Sequence, residues 1–390
     1  MTLSRYPLLR SPFRPFFLLG ALYGPLLILS WIPLYTGLLP GFPPLGSAVS
    51  SLHHQHEMIF GFASAVIFGF ILTALPSWAG TREITGAKLA ILVLSWLLGR
   101  VSITLSSWLP LPLVALLDLS FPLLFALIVG PGLAKVRLRI VLGLGLITAG
   151  FFMGNLYFYL GIWRGDDQLW LSGFRIGLYA MIFHCSVTVG ALAPIFTENQ
   201  LREQAQPADI GYIFPLEWLS AAAILALAVA DITGATPATI GSLALISALL
   251  HGARLFRWRS LSIAGAPLVW VLHVGYLWLF AALLLLALEG LGTPLRSESW
   301  VHAFTVGGFG LMSLGLMTRV SLRHTGRELR LPPAMIVAYL CLFAAAAARV
   351  MVPLATLPNE LLLLSALLWG ASYVIYLTVF ARILLVPSLP

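Results

Sequence analysis

Twelve apolar stretches, each long enough to cross a lipid bilayer, constrain the fold more than any other feature of this chain. A spanning helix needs about 20 mostly apolar residues. Only 9% of the residues are charged, against about a quarter in soluble domains. Backbone groups inside lipid must be satisfied within the span, so we predict an all-α polytopic bundle forming a single transmembrane domain over residues 1–390. The predicted spans are residues 16–38, 52–79, 87–106, 109–133, 140–161, 171–197, 211–231, 235–253, 263–289, 299–320, 332–354 and 359–385.

The basic residues are sorted to one side of the predicted membrane. Seventeen of the 22 lysines and arginines fall in the terminal segments and in the connections that follow even-numbered spans. The positive-inside rule therefore predicts that both termini are cytoplasmic. The net charge of +8 does not indicate a nucleic-acid partner, because the basic residues follow membrane topology.

Histidines mark the candidate site. Three of them and Glu57 stand at the start of the second span, where polar groups are costly unless they bind something. Imidazole binds haem iron, copper and zinc alike, so residue type does not select the metal. A regular helix turns His54 and His56 about 200° apart, so they cannot share one ion unless the helix begins later. We predict ligation by His54, His56, His273 and His302, and interhelical hydrogen bonds for His53 and His251.

The second and tenth spans share a pattern in which each position recurs 246 residues later. Sites in membrane proteins with internal repeats commonly lie at the repeat interface. The glycines of the pattern have two explanations: they allow close helix packing, or they leave bare backbone against a flat macrocycle. The pairs are His56 and His302, Gly61 and Gly307, Gly69 and Gly315, and Gly80 and Gly326.

Several charged residues fall inside or at the ends of the spans, namely Arg100, Asp118, Glu217 and Arg349. Such groups tend to face the bundle interior and pair with one another, although the sequence does not give the pairs. Glu57 is predicted to orient a ligating imidazole or to relay protons. The segment 319–330 has four arginines and His324. It either contacts haem propionates or is an ordinary cytoplasmic basic loop.

Ordered motifs from Arg14 to beyond residue 330 make the chain similar to the NnrS family of membrane proteins. No single motif is specific, whereas the ordered set is. The motifs are Arg14-Pro15-Phe16-Phe17, His54-Gln55-His56-Glu57-Met58-Ile59-Phe60-Gly61-Phe62, Gly69 through Gly80, Pro194-Ile195-Phe196-Thr197-Glu198-Asn199, Leu272-His273-Val274-Gly275-Tyr276, His302-Ala303-Phe304-Thr305-Val306-Gly307-Gly308 and Met317-Thr318-Arg319-Val320-Ser321 with His324-Thr325-Gly326-Arg327.

The resemblance implies a multi-pass bacterial inner-membrane protein with twelve helices, b-type haem and copper, linked to nitric oxide and the relief of nitrosative stress. The family has Gly-Gly-Arg where this chain has Val189-Gly190-Ala191, which places any role of that arginine in doubt. The positions that match the family's polar residues are His54, His56, Glu57, His273, His302, Arg319 and His324. Glu57 and Arg319 are the candidate catalytic residues, and the histidines are the candidate cofactor ligands.

These observations favour a haem–copper protein that binds or redox-processes nitric oxide within the lipid bilayer. As an oxidoreductase it would take electrons from a quinol or a redox protein. The alternative is a secondary transporter of a metal or a metal–nitrosyl species. The sequence gives that alternative less support, because it shows no pair of matching broken helices in two six-helix halves.

Overall fold

A computed structural model of the chain describes residues 5–36, 47–134, 136–295, 297–355 and 360–389. The structure is 84% helical and has no strand within those ranges. Among the described residues, twelve helical stretches are long and apolar enough to cross a membrane, which confirms the predicted all-α bundle of twelve spans. The cytoplasmic location of the termini stays a prediction.

In the part of the chain that the structure describes, fourteen α-helices make up the twelve spans, because the second and tenth spans are each interrupted by a π-helical segment. The helices are α1 (Phe13–Thr36), α2 (Ser47–His56), α3 (Ser64–Ala79), α4 (Gly86–Thr104), α5 (Leu111–Val129), α6 (Leu138–Arg164), α7 (Asp167–Glu203), α8 (Phe214–Ile232), α9 (Pro237–Arg257), α10 (Pro267–Gly290), α11 (Ser297–His302), α12 (Gly310–Arg323), α13 (Pro333–Leu354) and α14 (Glu360–Leu385).

The predicted limits of most spans agree with the helices to within a few residues. The sixth span differs most, since α7 continues to Glu203 whereas the prediction ends at residue 197. Its last turn is polar but helical, and the Arg202 guanidinium lies 3.3 Å from the Glu198 carboxylate one turn earlier. Such a pair stabilises a helix outside the apolar region. The predicted limits at residues 38 and 359 lie outside the described residues.

The described residues form two compact units. The first, unit 1, contains residues 1–180, 320–327 and 377–390, and the second, unit 2, contains residues 181–319 and 328–376. The prediction of a single transmembrane domain over residues 1–390 stays a prediction.

In unit 1, α1 packs on α3, and α5 packs on both α4 and α6. Phenylalanine rings fill the space between them. The ring of Phe68 contacts those of Phe121, Phe125 and Phe151 edge-on, at centroid distances of 4.6–5.3 Å. Edge-to-face aromatic contacts add to the area that the rings bury. This aromatic core surrounds the buried polar groups described below.

In unit 2, α9 packs on α8 and α10, and the second π segment packs on α10 and α13. Small residues allow the close approaches. A Cβ atom at Gly241 would lie 2.8 Å from the backbone of Gly290, so α9 and α10 meet there through bare backbone. Close packing of this kind is the main attraction between helices in lipid.

Arg14 ties the start of α1 to the end of α14 within unit 1. The guanidinium is buried, and its Nη1 donates to the carbonyls of Leu384 at 2.8 Å and Val386 at 2.7 Å. Its Nη2 donates to the Ser388 hydroxyl at 2.9 Å. The last carbonyls of a helix have no partner within it, so the arginine caps α14. This contact accounts for the Arg-Pro-Phe-Phe motif near the N-terminus.

We expect Arg14→Met to lower the free energy of unfolding by about 2–3 kcal/mol, because the buried carbonyls at the end of α14 lose charged donors. The measurement is the thermal unfolding midpoint of the purified protein in detergent. Arg10→Met is the matched control, since Arg10 is exposed in the same segment. Equal midpoints for the two variants would contradict the capping role.

Candidate functional site

The second and tenth spans, which share a sequence pattern, also share a backbone conformation. A π-helical segment begins directly after His56 and runs over Glu57–Ala63, and another begins directly after His302 and runs over Ala303–Phe309. Both the starts and the ends of the two segments are 246 residues apart. π-Helical turns are rare and frequently lie at functional sites.

The paired glycines have matching structural roles. A Cβ at Gly69 would lie 2.5 Å from Phe16, and one at Gly315 would lie 2.6 Å from Val271. Gly80 and Gly326 both adopt left-handed backbone conformations at helix ends, with φ of +65° and +73°. These glycines therefore serve helix packing and helix termination.

The surroundings of Gly307 distinguish between the two explanations given for the glycines, close helix packing and contact with a flat macrocycle. A Cβ at this position would lie 2.6 Å from the indole of Trp278, so that side chain fills the space over the glycine. Of the two explanations for the glycines of the repeat, the structure favours close packing at this position.

His56 lies at the centre of a buried polar cluster in unit 1. Its Nδ1 lies 2.8 Å from a Glu57 carboxylate oxygen, and its Nε2 lies 2.8 Å from Asn155 Oδ1 and 3.3 Å from Asp118 Oδ2. The Asn155 amide is oriented by its Nδ2, which donates to Asp118 at 2.7 Å. Since every partner oxygen near the ring accepts, both nitrogens of His56 must carry protons.

Arg100 joins the two carboxylates of this cluster. Its Nη1 donates to Glu57 at 2.5 Å and its Nη2 donates to Asp118. Tyr159 donates to Asp118 at 3.0 Å, and Tyr23 donates to the other oxygen of Glu57. Each carboxylate therefore has several donors.

The charges within the cluster balance. Glu57 and Asp118 are each no more than 2% exposed, and they face the Arg100 guanidinium and the doubly protonated His56. Two carboxylates and two cations give no net charge. An ionised group inside a membrane is stable only with such compensation. We call these residues, with Asn155, Tyr159 and Tyr23, the His56 cluster.

The sequence pointed to part of this cluster. His56, Glu57, Arg100 and Asp118 were candidates on residue type, but their pairing was not predicted. Asn155 was missed, although an asparagine within the apolar run of α6 is itself a signal of a polar partner inside the bundle.

Unit 2 contains a second polar cluster around Arg254. Its guanidinium donates to both oxygens of Glu217 and, through Nη1, to the Tyr276 hydroxyl at 2.6 Å. The Ser186 hydroxyl lies 2.8 Å from His251 Nε2, a contact between α7 and α9. The interhelical hydrogen bond predicted for His251 is thus confirmed, and Glu217 has a buried partner. We call these five residues the Arg254 cluster.

His273 in unit 2 is held by two hydroxyl groups. Thr197 donates its proton to the Ala193 carbonyl at 2.7 Å, so its oxygen accepts from His273 Nε2 at 2.9 Å. The lone pair on Nδ1 then accepts from the Ser260 hydroxyl at 2.8 Å. A metal at His273 would have to displace Ser260.

The hydrogen bonding of His302 differs from that of His273. Its Nδ1 lies 2.7 Å from the backbone carbonyl of Glu298, which only accepts, so Nδ1 carries the proton and Nε2 carries the lone pair. Histidine ligands of metals are typically fixed by this kind of bond to a backbone carbonyl. His302 is half-buried at the start of the second π segment.

His54 lies in α2 of unit 1, and its ring stacks on the Trp31 indole with centroids 4.2 Å apart. Because α2 begins at Ser47, His54 and His56 both lie on formed helix and point about 200° apart. They therefore cannot bind one ion together.

The two remaining candidate residues lie at the end of the tenth span. The Arg319 guanidinium stacks over the Phe196 ring at 3.9 Å in unit 2. His324 is exposed in unit 1, and its ring packs 5.8 Å from that of Phe13. The protein atoms that pack against one side of the His324 ring partly desolvate it, which lowers its pKa.

The side chains of the candidate ligands and their hydrogen bonds indicate which of them could hold haem or copper. Within the described residues no three histidine, cysteine, aspartate or glutamate side chains are grouped to hold a metal ion, so no set of copper ligands is assigned. For haem, His56 has no lone pair to offer and that of His273 is occupied. His302, whose Nδ1 is fixed by a backbone carbonyl, is the residue that would hold a haem.

The helices and the His56 cluster define a class of protein. The chain is a multi-pass α-helical membrane protein with balanced charges buried inside its spans. The NnrS protein family model matches residues 7–388, and the chain therefore belongs to the NnrS family. Membership links it in general to nitric oxide at the membrane. No curated protein is significantly similar to the chain in sequence.

Proposed function

We propose that this protein binds nitric oxide in the bacterial inner membrane and takes part in its redox processing, which relieves nitrosative stress. A b-type haem is the proposed cofactor, with electrons supplied by a quinol or a redox protein. The observation that carries the haem proposal is the orientation of His302, whose Nδ1 is fixed by the Glu298 carbonyl. Family membership supports the link to nitric oxide.

The proposed roles follow from the donors and charges of the chain. His302 is the residue that would hold the haem, and bound haem supplies an iron that binds nitric oxide and exchanges electrons. Reduction of nitric oxide consumes protons, and the His56 cluster holds exchangeable protons inside a span. Glu57 keeps His56 doubly protonated by accepting from Nδ1 at 2.8 Å. The catalytic role of Arg319 and the presence of copper stay predictions.

We expect His302→Ala to lose most of the Soret absorbance of the purified full-length protein, because the residue proposed to hold the haem is removed. Absorption spectra and haem content per chain are the measurements. Imidazole added to the variant is expected to restore part of the band, which separates a lost ligand from a misfolded protein. His53→Ala is the control, as this neighbouring histidine of the second span is predicted to form hydrogen bonds. Full absorbance in His302→Ala, or a colourless wild-type protein, would refute the haem proposal.

The rate of nitric oxide consumption distinguishes catalysis from binding alone. Purified protein supplied with an electron donor is expected to consume many equivalents of nitric oxide per chain if it is an oxidoreductase. Uptake that stops at a stoichiometric amount would leave only the binding function.

One observation favours the transporter as a second candidate function. The two π-interrupted spans occupy corresponding positions of the repeat, and one lies in each unit. Matching interrupted helices often lie at the substrate sites of secondary transporters. Both interruptions are π-helical segments within continuous helices, and they differ from the matching broken helices in two six-helix halves that the sequence did not show. A colourless protein that moves a metal or metal–nitrosyl species into proteoliposomes would support this candidate.

A further inference from the structure

The repeat of the second and tenth spans includes the spans that pack against them. In unit 1, a Cβ at Gly69 would lie 2.5 Å from Phe16 on α1. In unit 2, a Cβ at Gly315 would lie 2.6 Å from Val271 on α10. Gly315 follows Gly69 by 246 residues, and Val271 follows Phe16 by 255. The first and ninth spans therefore contact the second and tenth at matching positions.

Two further contacts of the same helices keep these offsets. Each joins a glycine to a side chain of the neighbouring span, and each recurs in the other unit. Residues of the first span precede their counterparts by 255 residues, and residues of the second span precede theirs by 246. Glycine content alone does not produce contacts with constant offsets. The contacts are Gly20 with Val66 and Gly61 with Tyr23 in unit 1, and Gly275 with Met312 and Gly307 with Trp278 in unit 2.

The third span has its counterpart in the eleventh. In unit 1, the Trp96 indole on α4 donates to the Ser64 hydroxyl at 3.3 Å. In unit 2, a Cβ at Gly310 would lie 3.3 Å from Leu342 on α13. Both residues of the second pair follow those of the first by 246 residues. The packing of α4 and of α13 on their π-interrupted neighbours therefore matches.

The fourth span matches the twelfth in the same way. In unit 1, a Cβ at Gly99 on α4 would lie 2.7 Å from Asp118 on α5. In unit 2, the Ser365 hydroxyl on α14 donates to the Ala345 carbonyl on α13 at 2.8 Å. Ala345 follows Gly99 by 246 residues, and Ser365 follows Asp118 by 247. We call spans 1–4 the first copy and spans 9–12 the second copy of this repeat.

The two copies differ in the residues around the shared histidine. In the first copy, His56 belongs to a network with Glu57, Arg100 and Asp118. The second copy has His302 at the matching position, and none of the three charges. The residues that match Glu57, Arg100 and Asp118 are Ala303, Ala346 and Ser365, all of them buried.

The second copy shows that this helix arrangement does not require the charges. It forms a π segment of the same seven residues at the same place, and it makes the same glycine contacts. Desolvation of buried ions is costly, and apolar residues of similar volume often replace a buried ion pair without loss of stability. The charges of the first copy are therefore better explained by what they do to His56 than by the fold.

We propose that the protein has one haem site and not two, and that this site belongs to the second copy. The assignment rests on the proposed function for the haem itself. In the first copy, Glu57 and Asn155 occupy the two ring nitrogens of His56, and Arg100 holds the carboxylate of Glu57 in place. These side chains close the first copy to a haem. In the second copy, the lone pair of His302 lies on Nε2, because Nδ1 bonds to the Glu298 carbonyl.

The number of haems per chain is the decisive measurement. Full-length protein in detergent, saturated with added haem and freed of excess, is expected to retain one haem per chain by haem extraction and protein quantification. Two haems per chain would overturn this proposal and leave the proposed function standing. A protein that retains no haem would refute both.

Substitution assigns the bound haem to one copy. His56→Gln combined with Glu57→Gln is expected to keep one haem per chain, whereas His302→Ala is expected to lose it. The double change removes one carboxylate together with one cation, so Arg100 and Asp118 still balance. The thermal unfolding midpoint reports whether the double variant is folded. Loss of the haem from folded double variant would overturn the assignment to the second copy, whatever the result for His302→Ala.

A further measurement does not depend on haem. Glu57→Gln, Arg100→Met and Asp118→Asn together remove the three charges with little change in volume. We expect the thermal unfolding midpoint of this triple variant to lie close to that of wild type and above that of Arg100→Met alone, because no buried charge is left unpaired. A midpoint as low as that of Arg100→Met would mean that the fold of the first copy needs its charges, and would overturn their proposed role at His56.

Discussion

Arg100→Met is expected to lower the free energy of unfolding by about 3–5 kcal/mol, the usual cost of removing one partner from a buried ion pair. Arg100 is 5% exposed and donates to both Glu57 and Asp118. Without it, the two carboxylates face only one cation, His56. The uncompensated charge lies inside a membrane span, where water cannot easily stabilise it.

The measurement is the thermal unfolding midpoint in detergent, together with the yield of folded protein. Arg164→Met is the matched control, because Arg164 is exposed at the end of α6 and its loss should change the midpoint little. A second variant, Arg100→Met with Asp118→Asn, should recover part of the stability by removing the excess negative charge. A midpoint for Arg100→Met equal to that of the control would show that the His56 cluster does not stabilise unit 1.

Gly190→Ala is also expected to lower the free energy of unfolding by about 3–5 kcal/mol. A Cβ at this position would overlap the Arg254 guanidinium, which is 2% exposed. The arginine must then move away from Glu217 and Tyr276, which breaks the buried ion pair of the Arg254 cluster.

Gly143→Ala controls for the change from glycine to alanine itself. Gly143 lies in α6, and a Cβ there would have no atom within 4 Å. Alanine is favoured over glycine in a helix by about 1 kcal/mol, so this variant should be neutral or slightly more stable. Thermal unfolding of both variants is the test. A Gly190→Ala protein as stable as Gly143→Ala would mean that Arg254 moves without cost.

Only part of the similarity between the second and tenth spans could be predicted from the sequence. The offset of 246 residues between His56 and His302 is visible in the sequence. The π segments that follow both histidines were not predicted, because a single wider turn leaves no periodic signal in a span that is apolar on all sides. The metal-binding role predicted for His54, His56, His273 and His302 stays a prediction, and His302 forms the hydrogen bond to a backbone carbonyl that is typical of a ligand.

The sequence alone determined the twelve spans, because lipid requires about 20 apolar residues in helical conformation wherever the chain crosses it. It also identified the charged residues that had to find partners within the protein. Only the tertiary structure decided which residues those partners are. Arg100 and Asp118 are 18 residues apart, and Asp118 and Asn155 are 37 apart, on three different helices. Contacts of this kind depend on how neighbouring helices are rotated and packed, and that is set by the fit of many apolar side chains and glycines at once.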